Sequence, residues 1–466
     1  MSAIPRPALT AAALIRAGLP VPASPWTRYM LTGAAWADLA ARLLSDPLPL
    51  VTLWCDGDAV HALFLQGPDS PLLASVPVEN SRYLALSPAR PAISLCERIV
   101  RDLWGVEAMH ARDLRPWLDH GRWGMTAPLS SRPGPAAWPP EPPEFGFDAA
   151  DEAAGAFQLG LGPVQSLVIG PAHLRLTLDG TRIRRLEPLL GYGHRGLVGL
   201  IRGCTPEAAA PLAARIDACA TVAHQNAFAR AIEAATGHRA RTGTEVLRRT
   251  MNALECIAVD LHHLGRIARC AGLGRVPNET GDLREAVLAA VAAAFGHRLM
   301  LATIRPGGLV AEPDGHALAA LPGLLDRLDA ALPALRVRLD TAAAWRRLSD
   351  PHAGAARARC GARLDGVGQM LGLARRLLPE VAGPVSAAPL PGAGQAPAEG
   401  IGVADSVHGP VWHWVRLQDG VVSALHVHDP VLPLWFDLDR AARDLPAEEL
   451  ALLCASFGLS TAGADL

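Results

Sequence analysis

Apolar residues recur at every third or fourth position through much of the chain between residues 207 and 348. This spacing places them on one face of a helix, so the pattern predicts a series of amphipathic helices. Helices that each carry one apolar face must cover those faces against one another, which predicts a mostly helical bundle. The predicted helices are residues 207–236, 245–270, 283–295, 317–331 and 336–348.

Shorter apolar runs, of the length and composition typical of strands, lie on both sides of this helical region. Two of them stand near the N-terminus between predicted helices at 34–44 and 92–103, which indicates a small α/β unit. Asp179-Gly180 and Asp419-Gly420 each lie between two runs, where they predict hairpin turns. The predicted strands are residues 48–54, 59–65, 166–169, 174–178, 181–186, 412–420 and 421–429.

Two stretches rich in proline, glycine and alanine divide the chain, because repeated proline prevents regular helix and favours extended linkers. They are residues 127–146 and 383–402. The predicted fold class is therefore α+β with several domains and peripheral β hairpins. The predicted domains are a small α/β domain at 1–126, a mostly helical domain at 147–382 and its C-terminal part at 403–466.

The charge balance excludes one large class of function. The chain has 43 basic residues, all of them arginine, against 45 acidic residues, for a net charge of −2. Nucleic-acid binders usually carry a basic patch or stripe, so no nucleic-acid partner is expected. Without lysine there is neither a P-loop lysine nor a Schiff-base lysine. No apolar stretch is long enough to span a bilayer, so membrane contact is expected through partners alone.

The eight cysteines are scattered, and no two of them stand in a Cys-x-x-Cys pair. This spacing fits neither a zinc ribbon nor an iron–sulfur motif, so the sequence predicts buried structural thiols and no metal bound by this chain.

The first informative motif is Cys-Glu-Arg-Ile-Val-Arg-Asp-Leu-Trp-Gly, which begins at residue 96 and is followed by His110 and by Asp113-Leu114-Arg115. It resembles the signature of the small α/β-domain subunit of respiratory complex I, with one extra residue after His110. In that family the domain is structural and docks neighbouring subunits. The resemblance therefore implies interface or capping roles for these charges, and no catalytic role.

Two further motifs resemble the large subunit of complex I and of energy-converting, group 4 nickel–iron hydrogenases of the formate-hydrogenlyase type. The first is Gly-Tyr-Gly-His-Arg-Gly at 191–196, preceded by the predicted hairpin; the second is Arg305-Pro306-Gly307-Gly308. The resemblance covers roughly residues 30–310, with the small and large domains fused in this order. It implies that His194, Arg195 and Arg305 lie at a central cavity, although a Gly-His-Arg-Gly turn without chemistry is an equally good interpretation.

Those hydrogenases hold nickel and iron with two Cys-x-x-Cys pairs, because two cysteines three apart share one helical face. At the first pair this chain has Asp217 and Ala220, with His224 in register behind them. At the second it has Ser460 and Gly463; an alternative anchor at Asp429-Pro430 places Val431 and Leu434 there instead. No thiolate stands at any of these positions, so hydrogenase activity is not expected.

The complex I alternative also departs from its pattern. The family places a histidine and a tyrosine where this chain has Gln165 and Ala218, so the usual hydrogen-bond donors to a quinone headgroup are missing. A glutamine can donate a hydrogen bond but cannot deliver a proton as an acid, and alanine can do neither. The remaining polar candidates for a cavity are His194, Arg195, Asp217, His224, Glu255 and Arg305.

Three hypotheses about function follow from this resemblance. The chain is expected to be the large subunit of a hydrogenase-4-like or complex I-like complex without a nickel–iron centre, which takes part in electron transfer coupled to ion translocation. Alternatively it is a quinone-oxidoreductase subunit with a rearranged quinone site, or a non-catalytic scaffold. The expected partners are a small iron–sulfur subunit and antiporter-like membrane subunits. The expected place is peripheral, on the cytoplasmic side of the inner membrane.

Overall fold

The computed structural model describes residues 9–67, 70–136, 155–347, 350–390 and 396–466. The chain divides into two compact units, Met1–Glu144 and Phe145–Leu466. Helices and strands are both frequent, and the strands form several small sheets. A mixed α and β class with more than one domain, as predicted, is therefore confirmed.

The N-terminal unit is built on a five-stranded sheet with helices beside it. Its elements are α1 (Ala11–Arg16), β1 (Leu19–Val21), β2 (Arg28–Met30), α2 (Gly33–Leu43), β3 (Leu50–Cys55), β4 (Ala59–Leu65), β5 (Pro71–Pro77), β6 (Arg82–Leu84), α3 (Ser94–Trp104), β7 (Glu107–Met109), β8 (Met125–Thr126) and β9 (Gly134–Pro135). The sheet order is β1-β2-β5-β4-β3. The two predicted strands and two predicted helices of this unit are confirmed, with ends that differ by at most two residues.

The charged residues of the first motif fix loops around α3. The Glu97 carboxylate accepts the backbone N–H groups of Leu86 and Ser87 at 2.7 and 3.0 Å. The Asp102 carboxylate likewise accepts the N–H groups of Trp117 and Leu118 at 2.8 and 2.7 Å. Buried amides need such acceptors, so these side chains cap loops, which is one of the roles that the resemblance implies for them.

The C-terminal unit combines a helical bundle with two three-stranded sheets. Its helices are α4 (Leu197–Ile201), α5 (Pro206–Ala213), α6 (Thr221–Thr236), α7 (Thr242–Cys270), α8 (Val276–Phe295), α9 (Gly315–Thr341), α10 (Asp350–Leu377), α11 (Leu432–Ala442), α12 (Leu450–Phe457) and α13 (Ala462–Asp465). Its strands are β10 (Phe157–Leu161), β11 (His173–Asp179), β12 (Arg182–Leu189), β13 (Ile304–Arg305), β14 (Gly308–Leu309), β15 (Ala398–Ser406), β16 (Gly409–Gln418) and β17 (Val421–His428).

The prediction of one helix over 207–236 is wrong, because residues 214–220 leave the helical path between α5 and α6. The Asp217 carboxylate accepts the backbone N–H of Cys219 at 2.7 Å, a local bond that competes with the helical ladder. This break exposes the N-terminal amides of α6, which become important for the site.

The prediction of separate helices at 317–331 and 336–348 is also wrong, since α9 runs unbroken through Pro322 and Pro333 and ends at Thr341. Proline removes one backbone hydrogen bond from a helix. Buried leucines on both sides of Pro333, such as Leu328 and Leu335, pack into the core and hold the helix together across it.

The predicted strand at 166–169 does not form; this segment contributes a single bridge, between Ile169 and Ser460. The side chain of Gln165 accepts the N–H groups of Leu167 and Val168 and turns the chain there. Strand β10, which the sequence pattern did not reveal, pairs with β11 instead. Both predicted hairpins, β11–β12 and β16–β17, are confirmed.

Both predicted linkers contain some regular structure among their described residues. In the first, β8 and β9 form a short antiparallel pair, and residues 137–146 lie outside the described part of the chain. In the second, β15 begins at Ala398, and residues 391–395 are not described. Strand β15 is the third strand of the C-terminal sheet, with order β15-β16-β17.

Two glycines let this sheet approach α6 to backbone contact. An added methyl on Gly400 would lie 1.9 Å from the carbonyl oxygen of Ala231, and one on Gly402 would lie 2.0 Å from that of Ala227. The facing side of α6 is also small, with Ala223 and Ala227 completely buried. The strand therefore lies directly on the helix, because neither element has side chains that hold them apart.

Replacing Gly402 with alanine should be strongly destabilising, because the methyl group has no space against the α6 backbone. We expect a loss of about 1–3 kcal/mol or more in the free energy of unfolding, measured by chemical denaturation. Gly281→Ala is the matched control, since nothing lies within 4 Å of its added methyl on α8. The control should be neutral or slightly stabilising; equal effects of the two substitutions would contradict the packing described here.

Candidate functional site

The four positions that correspond to metal-binding cysteines lie in one buried region. Asp217 is 3% exposed, Ala220 7% and Ser460 2%, and Gly463 is also buried. The Asp217 side chain is hydrogen-bonded to Ser460. Gly463 lies against the carboxylate of Asp429, so close that an added methyl would meet Asp429 Oδ2 at 2.0 Å. The fold thus brings the two distant segments together.

The donor atoms in this region do not suit nickel and iron, which require soft, bridging thiolates. One carboxylate and one hydroxyl replace two of the thiolates, and the other two positions offer no donor at all. Cys219, next in the chain, is no substitute, because burial raises the pKa of its thiol and disfavours the thiolate. Within the described part of the chain, no three His, Cys, Asp or Glu side chains are arranged to hold a metal ion.

A buried network of acids and imidazoles occupies this region instead. Nε2 of His224 lies 3.2 Å from Asp429 Oδ2, and its Nδ1 lies 3.0 Å from Nε2 of His413. All three side chains are at most 2% exposed. The carboxylate can only accept, so His224 donates from Nε2, and the two facing ring nitrogens share one proton between them.

Burial and mutual repulsion separate the proton affinities of the two acids. Burial raises the pKa of Asp217, and the nearby charge of Asp429 raises it further. Burial also opposes ionisation of Asp429, but the hydrogen bond from His224 outweighs it and holds the pKa of Asp429 below its ordinary value. Burial lowers the pKa of His413 well below its ordinary value, so this imidazole is neutral near pH 7. The network therefore holds one ionised and one protonated carboxyl.

Asp429 belongs to the alternative anchor considered from the sequence, and the fold places it beside Gly463 of the other anchor. Sequence spacing treats the two as competing alignments, whereas in three dimensions both lie in the same network. Proximity of Asp429 to His224 could not be inferred from the sequence because the two residues are 205 positions apart.

His194 and Arg195 fasten the C-terminal segment to the rest of the site. Nδ1 of His194 donates to the backbone carbonyl of Asp465. The guanidinium of Arg195 donates to the carbonyls of Arg215 and Ile216 at 2.6 and 2.7 Å and to that of Ala462 at 3.3 Å. Arg195 therefore ties the segment before Asp217 to the segment that carries Gly463.

The buried carboxylate of Asp465 completes this fastening. It accepts the backbone N–H groups of Gly191 and Gly193, both at 2.8 Å. These contacts explain why the Gly-Tyr-Gly-His-Arg-Gly turn needs glycine: Gly191 and Gly196 have positive φ angles of 91° and 65°. The described contacts of this turn are structural, in agreement with the plainer of the two interpretations of the motif.

Arg305 lies on β13, and its contacts belong to another network. Its backbone carbonyl accepts from the buried Arg248 at 2.9 Å, and Arg248 pairs with Glu233 at 2.8 Å. Glu233 also accepts the N–H of Gly307 at 2.7 Å. The Arg-Pro-Gly-Gly turn is thus held from behind by a buried ion pair between α6 and α7.

A mostly apolar cavity of about 150 Å³ opens beside Asp217–Ala220, on the side of Ala218 and Cys219. Ala218 is one of the two positions where complex I large subunits carry a quinone-contacting side chain, and it lines this cavity. Gln165, the other position, instead bonds within its own turn. None of His194, Arg195, His224 and Arg305 is among the described lining residues. Those residues are Ile169, Ala218, Cys219, Leu254, Glu255, Ala258, Val259, His262, Arg284, Val287, Leu288, Val291, Arg298, Leu299 and Met300.

Glu255 is the acidic side chain among these described lining residues. Its two oxygens accept the first free amides of α6, those of Val222 at 2.7 Å and Ala223 at 3.1 Å. Burial raises the pKa of Glu255 to about 8 in spite of these bonds, and the charge of Asp217 adds to the rise. The carboxyl is therefore mostly protonated near pH 7.

Glu255→Gln should change how stability depends on pH. Because the pKa of Glu255 rises from 4.5 to about 8 on folding, the folded chain binds this proton more tightly than the unfolded chain. Wild-type stability is therefore lost as pH rises through this range, and the glutamine variant escapes that loss. We expect the difference in the free energy of unfolding to move toward the variant by a few kcal/mol between about pH 5 and about pH 8.

Chemical denaturation at several pH values measures this difference. Glu285→Gln, at an exposed carboxyl whose pKa is lowered by its hydrogen bond from Arg298, is the control and should show no such change. A stability difference for Glu255→Gln that stays constant with pH would contradict the raised pKa.

Relatives in other organisms match part of this chain, and each is the D subunit of an NADH-quinone oxidoreductase. The one from Dehalococcoides mccartyi is 32% identical over 183 residues, which is 37% of this chain and 47% of that protein. The one from Azorhizobium caulinodans is 29% identical over 181 residues, with 37% and 45% covered, and that from Anaplasma phagocytophilum is 31% identical over 195 residues, with 39% and 48% covered. The chain thus spans about half the length of these relatives. No family model matches the chain.

A solved structure shares the fold of a larger part. It is a chain of the membrane-bound sulfane sulfur reductase, an archaeal respiratory membrane complex, and it aligns with a TM-score of 0.59 at 16% identity. The alignment covers 67% of this chain and 98% of that one. Together with the sequence matches, this confirms the resemblance predicted from the motifs: the chain is a relative of the large subunit of complex I, the NADH-quinone oxidoreductase.

Proposed function

We propose that this chain is the large subunit of a membrane-associated, complex I-like oxidoreductase complex that works without a nickel–iron centre and takes part in electron transfer coupled to ion translocation. The relatives named above are subunits of such complexes, which supports the assignment. The chain itself would hold no cofactor.

The observation that carries the proposal is the network at the four cysteine-equivalent positions. Asp217, Ser460 and Gly463 are packed against one another and against Asp429. A scaffold that keeps this convergence but fills it with carboxyls and imidazoles is suited to holding and moving protons, not to binding a dinuclear metal centre.

The proposed neighbours follow from the same relatives. A small iron–sulfur subunit would supply electrons, and antiporter-like membrane subunits would carry the ion pathway. None of the described helices is long and apolar enough to cross a membrane. The proposal therefore places the chain at the periphery, on the cytoplasmic side of the inner membrane.

Metal analysis of the purified complex tests the absence of nickel. We expect nickel far below one atom per chain, because no thiolate is available to bind it, while iron is present in the clusters of the partner. Nickel is thus the informative element, and a nickel–iron hydrogenase purified by the same procedure is the control. One nickel per chain in this complex would overturn the proposal.

A quinone-oxidoreductase role is the second candidate, and the apolar cavity favours it. A dry cavity of about 150 Å³ is large enough for a ring the size of benzene. Ala218 lies at its exposed edge, and apolar side chains such as Val291 and Leu288 form its wall. We propose that this cavity takes the headgroup of a quinone, with hydrogen-bonding groups other than those of the complex I pattern.

Filling the cavity mouth tests this role. Ala218→Trp places a large side chain at an exposed lining position, so it should reduce the binding of decylubiquinone to the purified complex by at least about tenfold, measured by titration. Ala208→Trp, an exposed alanine on α5 away from the described lining, is the matched control and should bind normally. Equal binding by both variants would contradict the cavity as the quinone site, and unchanged redox cycling in every cavity variant would favour a scaffold.

A further inference from the structure

The cavity keeps one acid at its inner end, although both usual headgroup contacts are absent. Glu255 lies on α7 and is 7% exposed, whereas Ala218 on the opposite side of the cavity is exposed. An occupant that entered past Ala218 would therefore meet Glu255 at the buried end. A carboxyl there can do what Gln165 and Ala218 cannot, because it can release a proton.

The carboxyl is fixed in place by bonds that leave its proton free. Both oxygens accept backbone amides at the N-terminus of α6, those of Val222 and Ala223. A protonated carboxyl keeps its acceptor capacity and adds one O–H donor. Since the amides occupy acceptor sites, the O–H group remains available to a hydrogen-bond acceptor in the cavity.

We propose that Glu255 is the catalytic proton donor to the oxygen of the acceptor that binds in this cavity. The inference rests on the quinone role proposed above and adds the residue that completes its rearranged site. Neither the sequence motifs nor the comparisons assign a role to Glu255.

The surroundings of Glu255 are suited to this role. Its O–H bond is retained near pH 7 because burial, and then the charge of Asp217, raise its pKa to about 8. The buried Asp217 is also the neighbour that can return a proton to it, since its own pKa is raised. The charged and titratable groups that face Glu255 across the cavity and from the segment before α6 are Asp217, Cys219, His262, Arg284 and Arg298.

The step balances with electrons from a reduced iron–sulfur cluster of the partner subunit. Two electrons, transferred one at a time, reduce the quinone, and two protons are taken up to give the quinol. Glu255 gives one proton: its O–H bond breaks as an O–H bond forms on the inner oxygen of the quinone. The other proton reaches the outer oxygen from water at the mouth beside Ala218. Glu255 is then reprotonated from the network that contains Asp217.

The experiment uses the purified complex with its clusters reduced by titanium(III) citrate and the excess reductant removed. Decylubiquinone is added, and reoxidation of the clusters is followed by visible absorbance in the wild type and in Glu255→Gln and Glu255→Asp. The control is Glu97→Gln. Glu97 is also buried, accepts two backbone amides and has a pKa raised by burial, but it belongs to the other unit.

We expect Glu255→Gln to bind decylubiquinone within about threefold of wild type but to slow its reduction on the order of 100-fold, the usual contribution of a general acid. The stalled reaction should accumulate a semiquinone radical visible by electron paramagnetic resonance. Glu255→Asp should recover part of the rate, and Glu97→Gln should match the wild type. The wild-type rate should fall as pH rises above about 8, and the glutamine variant should lose this pH dependence.

The outcomes separate this inference from the proposed function. If the wild type binds and reduces decylubiquinone but Glu255→Gln does so at the same rate, the quinone role stands and Glu255 is not the donor. If the wild-type complex neither binds nor reduces decylubiquinone, the quinone role and this inference both fail. A loss of rate in Glu97→Gln equal to that in Glu255→Gln would also overturn the inference, because the effect would then be a general result of removing a buried carboxyl.

Discussion

The backbone contact between α6 and β15 is the constraint on which the site depends. Because Gly400 and Gly402 have no side chains, the strand lies against the carbonyls of Ala231 and Ala227. Strand β16 pairs with β15, which places His413 beside α6, and β17 leads directly into Asp429. His224 on α6 can then reach both of them. A wider separation of helix and strand would break this buried network, and each of its polar groups would lose the partner that makes its burial tolerable.

The N-terminus of α6 connects this network to the cavity. A helix that begins in the interior leaves amides without partners, and Glu255 from α7 supplies acceptors for two of them. The short segment Asp217–Ala220 then has two sides. Asp217 and Ala220 face the packed region with Ser460 and His413, and Ala218 and Cys219 line the cavity. Proton-holding groups thus lie on both sides of one turn, which is the arrangement that a coupled electron and proton transfer requires.

The residues at the cysteine-equivalent positions do more than fail to bind metal. A glycine at 463 admits the Asp429 carboxylate, and a serine at 460 bonds to Asp217. Replacing four soft donors with this set gives a region of stored protons with distinct affinities, because burial and repulsion act in opposite directions on Asp217 and Asp429. The same scaffold could therefore lose one chemistry and support another without rebuilding its core.

The sequence by itself determined the two-part organisation, most helices, both hairpins and the resemblance to the complex I large subunit, because these depend on local periodicity, turn residues and ordered motifs. It also placed the cysteine-equivalent positions. Only the tertiary structure decided that His194 and Arg195 fasten backbone segments, that Asp429 pairs with His224, and that Glu255 lines a cavity. The physical reason is that these roles depend on contacts between residues that are far apart in the chain, such as the 205 positions between His224 and Asp429. Local pattern carries no information about which distant side chains are buried together, and burial is what sets their chemistry.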